Sequence, residues 1–436
     1  MITGRAVLLC AAGAVAAAVS PWHRATALGW LLALALICGT DWLLAGAAGK
    51  VALSRRGATH IRLGESAVVT LVATNTGRRT VRAQIRDAWV PSAGATPYVH
   101  KAKLAPDAKA LLDTTLTPTR RGDRPAVAVI VRSTGPLRLA YRQTRRRAVR
   151  RATPAWALRT LPPFASRRFL PEKLSRLRRL DGSLAVRARG QGTEFDALRE
   201  YVVGDDVRSI DWRATARRSE VVVRTWRPER DRRLLLVIDT GRTSAARVDD
   251  IPRLDAALDA SLLLAAVAAK AGDRVELFAA DVAVRTSVRG SGHGSLVAAI
   301  GEALAPVEPR LVESDFDLIV AEVLARARKR CLVVLFTAIE PAPLAEGLLP
   351  VLSRLTERHT VVLASVGDPA AARMAARSGD TENVYSAAAA ARGDAERHRI
   401  VTAMRGRGVE VVDAPADIFA SAVTDSYLAM KAAGRL

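Results

Sequence analysis

Residues 234–244 read LLLVIDTGRTS, five apolar residues followed by an aspartate and a run of small polar residues. A continuous apolar run that ends in turn-forming residues is typical of a strand buried on both faces, as in a parallel sheet. We therefore predict a central strand here. Asp239 then lies at the carboxyl end of that strand, the edge at which sheets of this kind bind their ligands.

The chain from residue 231 to residue 436 repeats this pattern. Apolar strands are predicted at RVELFAA, AVRTSVR, CLVVLFTA, TVVLASV and VEVVDA. Helical segments are predicted between and after them, at 253–271, 294–305, 315–329, 342–357, 370–378, 395–406 and 416–432. Strands that alternate with helices predict a mostly parallel sheet covered on both faces. The fold class of residues 231–436 is therefore α/β.

Immediately upstream, residues 190–229 read GQGTEFDALREYVVGDDVRSIDWRATARRSEVVVRTWRPE. We predict a helical turn at FDALREY, a Gly-Asp-Asp turn in which Gly204 adopts a left-handed conformation, and a strand at VVVRTW. Three aspartates and three arginines are distributed through the segment, at Asp205, Asp206, Asp211, Arg199, Arg208 and Arg217.

Two interpretations of these charges remain open. In the first, the arginines neutralise the aspartates in an ion-paired turn, with Trp212 as its apolar plug. In the second, the segment is a docking surface, or a hydrolytic site in which the three aspartates hold a metal ion. The equal numbers of arginine and aspartate favour the first interpretation.

The run GxEFxxLREYxxGDDxRxIDWxAxAR, followed by a strand that ends in aspartate, resembles the domain of unknown function 58 family. The stretches TPTRRGDRPAVAVIVRSTGPLRLA, HTVVLASVGDP and SYLAMKAAGRL resemble other parts of that family, so the resemblance extends over most of the chain. The residues of the family signature are Glu194, Leu198, Arg199, Tyr201, Gly204, Asp205, Asp206, Arg208, Asp211, Trp212 and Arg217.

The resemblance implies an architecture and a partner. Members of the family are prokaryotic membrane proteins with a von Willebrand factor A-like domain of the Rossmann type, often encoded beside MoxR-type AAA+ ATPases. The implied partner is therefore an ATPase of that type. The implied role is in the assembly or maturation of other proteins.

Von Willebrand factor A domains that bind a divalent cation usually carry Asp-x-Ser-x-Ser after the first strand, because Mg²⁺ prefers hard oxygen ligands. Asp239 and Thr243 match the outer positions of this motif, but Gly241 replaces its first hydroxyl. The motif is therefore incomplete in its first loop.

The second and third loops of the implied cation site also depart from the pattern. The second loop needs a threonine, and around GSGHGS the candidates are Ser291 and Ser295. The third needs an aspartate after CLVVLF, where Ala338 stands at the matching position and Glu340 follows two residues later. We therefore expect no cofactor, or weakly bound Mg²⁺ at Asp239, Thr243 and Ser291.

Residues 51–143 show short runs with a period of two: HIRL, SAVVTLVATN, RTVRAQIRDAW, KALLDTTLTP, AVAVIVRS and LRLAYRQ. Turn-forming residues separate these runs, and no helical pattern lies between them. Such spacing predicts a small antiparallel β-sandwich.

The formal net charge of +23 comes from the region before residue 191. Residues 51–190 carry 30 Lys and Arg against seven Asp and Glu. We expect residues 144–190 to form a basic linker, either solvated or facing an anionic lipid surface or an acidic partner. The sequence argues against nucleic acid as a partner, because aromatic residues for base stacking are scarce and no known binding motif is present. Basic residues of the linker region include Arg145, Arg146, Arg147, Arg150, Arg151, Arg167, Arg168, Arg178 and Arg179.

Two apolar runs, residues 6–20 and 27–47, precede the β region and are separated by PWHRAT. They predict a transmembrane hairpin over residues 1–50. The first run is short, so a signal peptide is an alternative for it. Asp41, inside the second run, is either a functional proton or ion site, or a carboxyl group near the interface that is neutral or bonded to the first helix or to a second subunit.

Positive charge decides the predicted orientation of this hairpin. Only Arg24 lies in the turn between the runs, whereas Lys50, Arg55, Arg56 and Arg62 follow the second run. The positive-inside rule places the following domains in the cytoplasm. The three cysteines, Cys10, Cys38 and Cys331, form neither a disulfide framework nor a CxxC motif, which is consistent with a reducing compartment.

The sequence thus predicts five segments: 1–50, 51–143, 144–190, the signature segment 191–230 and the α/β domain 231–436. The predicted function is that of a membrane-anchored, non-enzymatic adaptor that binds other membrane-associated proteins. None of the six histidines lies in a motif with a nucleophile or a carboxylate. The alternatives are a metal-dependent hydrolase that uses the three signature aspartates, and a binder of anionic lipid or nucleic acid through residues 142–190.

Overall fold

The computed structural model describes residues 2–144, 147, 149, 153–187, 194–218, 220–227, 232–248, 250–290, 296–376 and 380–436. The chain divides into two compact units, Met1–Leu161 and Pro162–Leu436. Each unit has its own apolar core.

The first unit begins with two antiparallel helices, α1 (Gly4–Val19) and α2 (His23–Leu44). Trp30 of α2 lies against Gly13 of α1, where any side chain would overlap the indole ring, and its Nε1 donates to the carbonyl of Leu9 at 3.0 Å. Among the described residues, one helical stretch, His23–Lys50, is long and apolar enough to cross a membrane by length and composition. At 16 residues, α1 is shorter than the roughly 20 that a span needs.

The rest of the first unit is built from strands. They are β1 (Val51–Gly57), β2 (His60–Arg62), β3 (Ala67–Asn75), β4 (Val81–Trp89), β5 (Ala95–Thr96), β6 (Val99–Leu104), β7 (Lys109–Leu116), β8 (Gly122–Thr134), β9 (Tyr141–Gln143) and β10 (Ala157–Leu161). One sheet has the order β1-β3-β7-β5 and the other β2-β10-β8-β4-β6, with β9 paired to β8. All pairs are antiparallel except β2 with β10.

Alternating burial explains how the two sheets pack. In β4, every second side chain from Val81 to Trp89 is buried. Leu71 of β3, Ile85 of β4 and Val129 of β8 belong to one apolar cluster to which both sheets contribute. A buried ion pair also joins the sheets, Arg55 of β1 with Asp87 of β4 at 2.5 Å.

Hydrogen bonds join the end of α2 to the turn between β8 and β9. The carboxyl group of Asp41 is buried and accepts hydrogen bonds from the backbone N–H groups of Leu137 (2.8 Å), Leu139 (2.8 Å) and Ala140 (2.9 Å). Gly135 lies so close that a side chain there would overlap this carboxyl group. Asp41 is thus bonded to the β region, and not to α1 as one expectation had it.

The segment expected to be a linker differs from that expectation. Residues Ala157–Leu161 form β10 in the first unit, and α3 (Leu170–Arg187) belongs to the second. Leu177 of α3 joins the core of the second unit, and Lys173 is buried with its Nζ 2.8 Å from Asp425. Apolar residues at helical spacing among the basic residues of 170–187 give α3 one apolar face, which explains why this segment packs as a helix instead of forming a linker. Arg145, Arg146, Arg150 and Arg151 lie outside the described residues.

The signature segment forms a hairpin of β11 (Glu194–Glu200) and β12 (Val222–Arg227), with a short helix, α4 (Trp212–Arg218), in the connection. The helical turn predicted at FDALREY is therefore wrong. Pairing of residues 194–200 with β12 overrides the helix propensity of Ala197 and Leu198.

The second unit carries a six-stranded sheet made of β13 (Arg233–Asp239), β16 (Arg274–Ala280), β17 (Val284–Gly290), β18 (Leu332–Phe336), β19 (Thr360–Gly367) and β20 (Glu410–Pro415). Their order is β17-β16-β13-β18-β19-β20, and every pair is parallel except β16 with β17. The order reverses at β13, which places Asp239 at the switch point of the sheet. A two-residue pair, β14 (Arg247–Val248) and β15 (Ile251–Pro252), follows β13.

Helices cover both faces of this sheet. They are α5 (Arg253–Lys270), α6 (Leu296–Leu304), α7 (Phe316–Arg326), α8 (Leu349–Thr356), α9 (Pro369–Ala375), α10 (Thr381–Gly406) and α11 (Ala416–Ala432). Side chains of β13 alternate between two clusters: Leu236 and Ile238 pack with α5 and α11, and Leu235 and Val237 pack with α7 and α8. This two-sided burial is the reason for the continuous apolar run in the sequence.

Candidate functional site

Asp239 lies at the carboxyl end of β13 and is 1% exposed. Its carboxyl group accepts four hydrogen bonds. Oδ1 accepts from the backbone N–H of Gly241 at 2.8 Å and from the hydroxyl of Ser314. Oδ2 accepts from the hydroxyls of Thr337 at 2.6 Å and Thr243 at 3.5 Å. We call Asp239, Thr243, Ser314 and Thr337 the Asp239 cluster.

Burial and hydrogen bonding act in opposite directions on Asp239. Burial is the larger effect and raises the pKa of this carboxyl group, because the charged form loses its hydration. The hydrogen bonds from Ser314 and Thr337 lower the pKa, but they do not outweigh burial. The site therefore favours a neutral Asp239 more than water does.

The hydroxyl of Ser314 stands where the motif lacks one. A Cβ atom built on Gly241 would overlap the Oγ of Ser314. Ser314 precedes α7 in a segment that runs along residues 240–242, with backbone hydrogen bonds from Arg310 to Thr240 and from Arg242 to Val312, both at 2.8 Å. A hydroxyl from another loop thus fills the space of a side chain at position 241.

A second buried aspartate lies at the end of the neighbouring strand. Asp281 follows β16 and accepts from Arg285 Nε at 2.8 Å and from the hydroxyl of Thr240 at 3.1 Å. Burial acts to raise the pKa of Asp281, but the Arg285 guanidinium and the backbone N–H of Val282 more than compensate, so this pKa is lowered. The two aspartates therefore differ in protonation preference, and Asp281 carries its own counter-charge.

Glu340, a candidate acidic residue of the third loop, lies in an ion pair. Its Oε1 is 2.6 Å from Nη1 of Arg253, the first residue of α5. Nη1 also lies 3.5 Å from the carbonyl oxygen of Thr243. A small cavity beside this pair is lined by Ser244, Arg253, Ala257, Phe336, Thr337, Ala338, Ala364 and Val366.

The donor set does not fit the Mg²⁺ site of a von Willebrand factor A domain. The Asp239 cluster has one carboxyl group, and both of its oxygens already accept hydrogen bonds from the protein. Among the described residues, no group of three or more His, Cys, Asp or Glu side chains is placed to hold a metal ion. Glu340, the acidic residue of the third loop, is already paired with Arg253.

The structure brings together some of the expected residues and adds two. Asp239 and Thr243 lie in one cluster, as the motif predicts. Ser291 and Ser295 lie outside the described residues. Ala338 is buried beside the cluster and supplies no ligand atom from its side chain. The sequence analysis missed Ser314 and Thr337. Thr337 could have been found, because it is the hydroxyl-bearing residue that directly follows the predicted strand CLVVLF.

The signature aspartates are each held by nearby groups. Asp205 lies 2.5 Å from Arg199, and Asp211 lies 2.8 Å from Arg224. The hydrogen bonds from these arginines lower the pKa of both carboxyl groups. Asp206 caps a turn by accepting from the backbone N–H of Arg208 at 2.9 Å.

Two details of the ion-paired turn differ from the prediction. Arg224, which the sequence did not single out, is the partner of Asp211, whereas Arg217 is exposed. Trp212, the expected apolar plug, is 67% exposed. Gly204 has the expected positive φ of 111°. Glu194 lies in β11. Leu198 and Tyr201 are half-buried in the hairpin.

The connection of the hairpin carries an exposed apolar surface. We call it the signature apolar surface; its members are Val202, Val203, Val207 and Trp212. Val203 is 94% exposed, although it lies next to the turn that the aspartates hold in place. Large exposed apolar side chains within one short segment are a feature of interaction sites.

The geometry defines an α/β domain with a hydrogen-bonded polar cluster at the switch point of its sheet. Residues 197–405 match the family model described as "Protein of unknown function DUF58". The match confirms the resemblance seen in the signature. No curated protein matches the sequence.

Two solved structures are each similar to about 45% of this chain. The SpRpn10 VWA domain has 14% identity and a TM-score of 0.28, over 45% of this chain and 94% of that one. The conserved hypothetical protein BatB from Bacteroides thetaiotaomicron has 12% identity and a TM-score of 0.28, over 45% and 98%. A CARDB domain from Pyrococcus furiosus, described in complex with di-metal ions, has 12% identity and a TM-score of 0.19, over 26% and 87%.

Proposed function

We propose that this protein is a membrane-anchored, non-enzymatic adaptor that binds another protein through its signature hairpin. The observation that supports this most is the composition of the hairpin surface. Its three aspartates are engaged with arginines or backbone N–H groups, while Val202, Val203, Val207 and Trp212 face solvent. A turn held by hydrogen bonds that exposes apolar side chains suits a docking surface, because less backbone entropy is lost when it binds.

The partner in this proposal is a MoxR-type AAA+ ATPase, and the role is the assembly or maturation of other proteins. The resemblance of the sequence to its family motivates both. In this proposal α2 anchors the chain in the membrane, α1 is a second span, and the chain that follows α2 lies in the cytoplasm. The apolar length of His23–Lys50 supports the role of α2 as the anchor.

The proposal includes a metal-free α/β domain. The hydroxyls of Ser314 and Thr337 donate to Asp239, and Arg253 balances the charge of Glu340. An edge of this kind gives the domain a fixed shape without a cation.

A hydrolase that uses Asp205, Asp206 and Asp211 is the second candidate. It requires free carboxylates that converge on a metal ion. The engagement of Asp205 by Arg199 and of Asp211 by Arg224 supports the adaptor instead.

Affinity capture of the ATPase by the full chain tests the proposal. The full chain, solubilised in mild detergent, is expected to capture a MoxR-type AAA+ ATPase, and Val203→Asp is expected to abolish capture. Val384→Asp is the matched control, since Val384 is also an exposed valine but lies on α10. No capture by the wild-type chain, or metal-dependent turnover lost in Asp206→Asn with folding intact, would refute the adaptor.

A further inference from the structure

Both helices of the first unit meet the β region at one place. Before α1, Thr3 bonds to the turn between β8 and β9, with its N–H 2.8 Å from the carbonyl of Leu139 and its hydroxyl 2.7 Å from that of Arg138. At the end of α2, Asp41 accepts three N–H groups of the same turn. The start of α1 and the end of α2 therefore lie side by side against this turn.

Basic side chains surround this meeting point. Arg79 donates to the carbonyl of Leu43 at 2.6 Å, and the guanidinium of Arg142 stacks 4.2 Å above the ring of Trp42. Five exposed basic residues lie in the same segments, and we call them the basic collar: Arg5, Lys50, Arg78, Arg79 and Arg138. The stretches 45–57, 76–86 and 132–144 contain no acidic residue that would neutralise them.

Apolar side chains are exposed between these charges. Leu137 lies next to Arg138 and is exposed, and Trp42 and Leu44 are exposed on the last turn of α2. A band of tryptophan, leucine and arginine at one end of an apolar helix is the composition found at the interface between hydrocarbon and headgroups. The opposite end of the helical pair, residues 20–24, carries Arg24 as its one arginine.

The carboxyl group of Asp41 does not oppose this charge. Its oxygens accept three backbone N–H groups and the side chain is buried, so its charge faces the turn and not the surrounding surface. The side chains of Arg5, Arg78 and Arg138 make no hydrogen bond or ion pair with the described residues, so their donors are available to a ligand.

We propose that the basic collar binds the phosphate groups of anionic phospholipids at the membrane face that adjoins the β region. This inference rests on the proposed membrane anchor and adds the class of lipid that the anchor selects. Guanidinium groups suit this ligand because their paired N–H donors match phosphate oxygens. Leu137 and Trp42 contact the acyl boundary while the arginines contact the headgroups.

Lipid retention on the detergent-solubilised full chain, measured by native mass spectrometry, tests the proposal. Phosphatidylglycerol is expected to be retained over phosphatidylcholine. The Arg5→Gln/Arg138→Gln variant is expected to weaken this retention more than roughly tenfold, since each basic side chain near an anionic surface contributes roughly fivefold. The control, Arg56→Gln/Arg120→Gln, removes the same charge.

The control residues lie toward the other end of the β region. Arg56 pairs with Thr70, and Arg120 follows Leu116, which pairs with Ala67, whereas Lys50 lies near Asn75 at the opposite end of β3. Equal retention of both lipids, equal weakening in the control, or the same stabilisation by inorganic phosphate alone would overturn the inference. Extraction of the chain from membranes by alkaline carbonate would refute the anchor itself, so the two failures are distinguishable.

Discussion

The Oγ of Ser314 occupies the space that a side chain on Gly241 would need, and it donates to the carboxyl group of Asp239 from there. The backbone of Gly241, at φ −73°, is one that any residue adopts. The absence of a side chain at 241 is therefore explained by the serine and not by backbone strain. Positions 241 and 314 are therefore coupled, because a hydroxyl group near Asp239 can come from a residue at either position.

Gly241→Ser is expected to destabilise the full chain by about 1–3 kcal/mol, the usual cost of an overpacked site. Replacing Ser314 by Gly in the same chain removes the overlap and leaves the new hydroxyl near Asp239. The double variant is therefore expected to recover most of the loss, as a positive coupling in thermal unfolding. Additive losses in the two single variants would show that the positions are independent.

Mg²⁺ and Mn²⁺ are expected to leave the melting temperature of the full chain unchanged, since the Asp239 cluster has one carboxyl group and no free oxygen on it. Thr337→Asp adds a second carboxyl group beside Asp239. This variant is expected to be less stable in EDTA and to regain stability in Mg²⁺. Thr337→Asn, which has the same shape without the charge, is the control. Stabilisation of the wild-type chain by Mg²⁺ would contradict the metal-free site.

The apolar strands were predictable because burial on both faces leaves a direct trace in the sequence. Leu332–Phe336 is buried at every position and reads LVVLF. The Asp239 cluster was predictable only in part. Thr243 lies four residues from Asp239, but Ser314 lies 75 residues away in a loop without a motif, and only the fold brings it to the site. The serine-rich GSGHGS segment gave a stronger local signal, and its serines lie outside the described residues.

The hairpin shows a second limit. Local propensity favours a helix at FDALREY, yet these residues pair with β12. Trp212 was expected to be the apolar plug of the ion-paired turn, but a buried position requires a neighbouring element to cover it. In the structure Trp212 begins α4 at the surface of the hairpin. The strand with which a segment pairs, and the element that buries a side chain, depend on the whole fold. The periodicity of one segment does not encode them.

The pH dependence of stability is expected to reveal the raised pKa of Asp239. A carboxyl group whose pKa is raised by folding stabilises the native state at low pH, and this contribution is lost as the pH rises through the folded-state value. Asp239→Asn mimics the neutral form. The stability of the wild-type chain relative to this variant is therefore expected to fall as the pH rises above about 4, the ordinary pKa of an aspartate. A relative stability that rises with pH would show that the four hydrogen bonds hold Asp239 ionised.

Asp211 is expected to hold the start of α4. It accepts from the backbone N–H groups of Arg213 (3.1 Å) and Ala214 (3.0 Å) and pairs with Arg224. In Asp211→Ala, hydrogen exchange at residues 213 and 214 is expected to be several-fold faster, because the helix loses its cap. Asp250→Ala, which removes a carboxylate elsewhere on the surface, is the control. Unchanged exchange at these amides would argue that the aspartate is kept for chemistry.

Asp41→Asn tests the connection between α2 and the β region. The amide group of asparagine has one acceptor oxygen, so the N–H groups of Leu137, Leu139 and Ala140 can no longer all find an acceptor. A buried donor without a partner costs about 1–3 kcal/mol, so the melting temperature of the full chain is expected to fall by several degrees. Thr40→Val, on the preceding position of α2, is the control, since the Thr40 hydroxyl donates to the carbonyl of Ile37 within the same helix. If Asp41 were instead a site for protons or ions, Asp41→Asn would leave the melting temperature unchanged, because the carboxyl group would then have no fixed partners to lose.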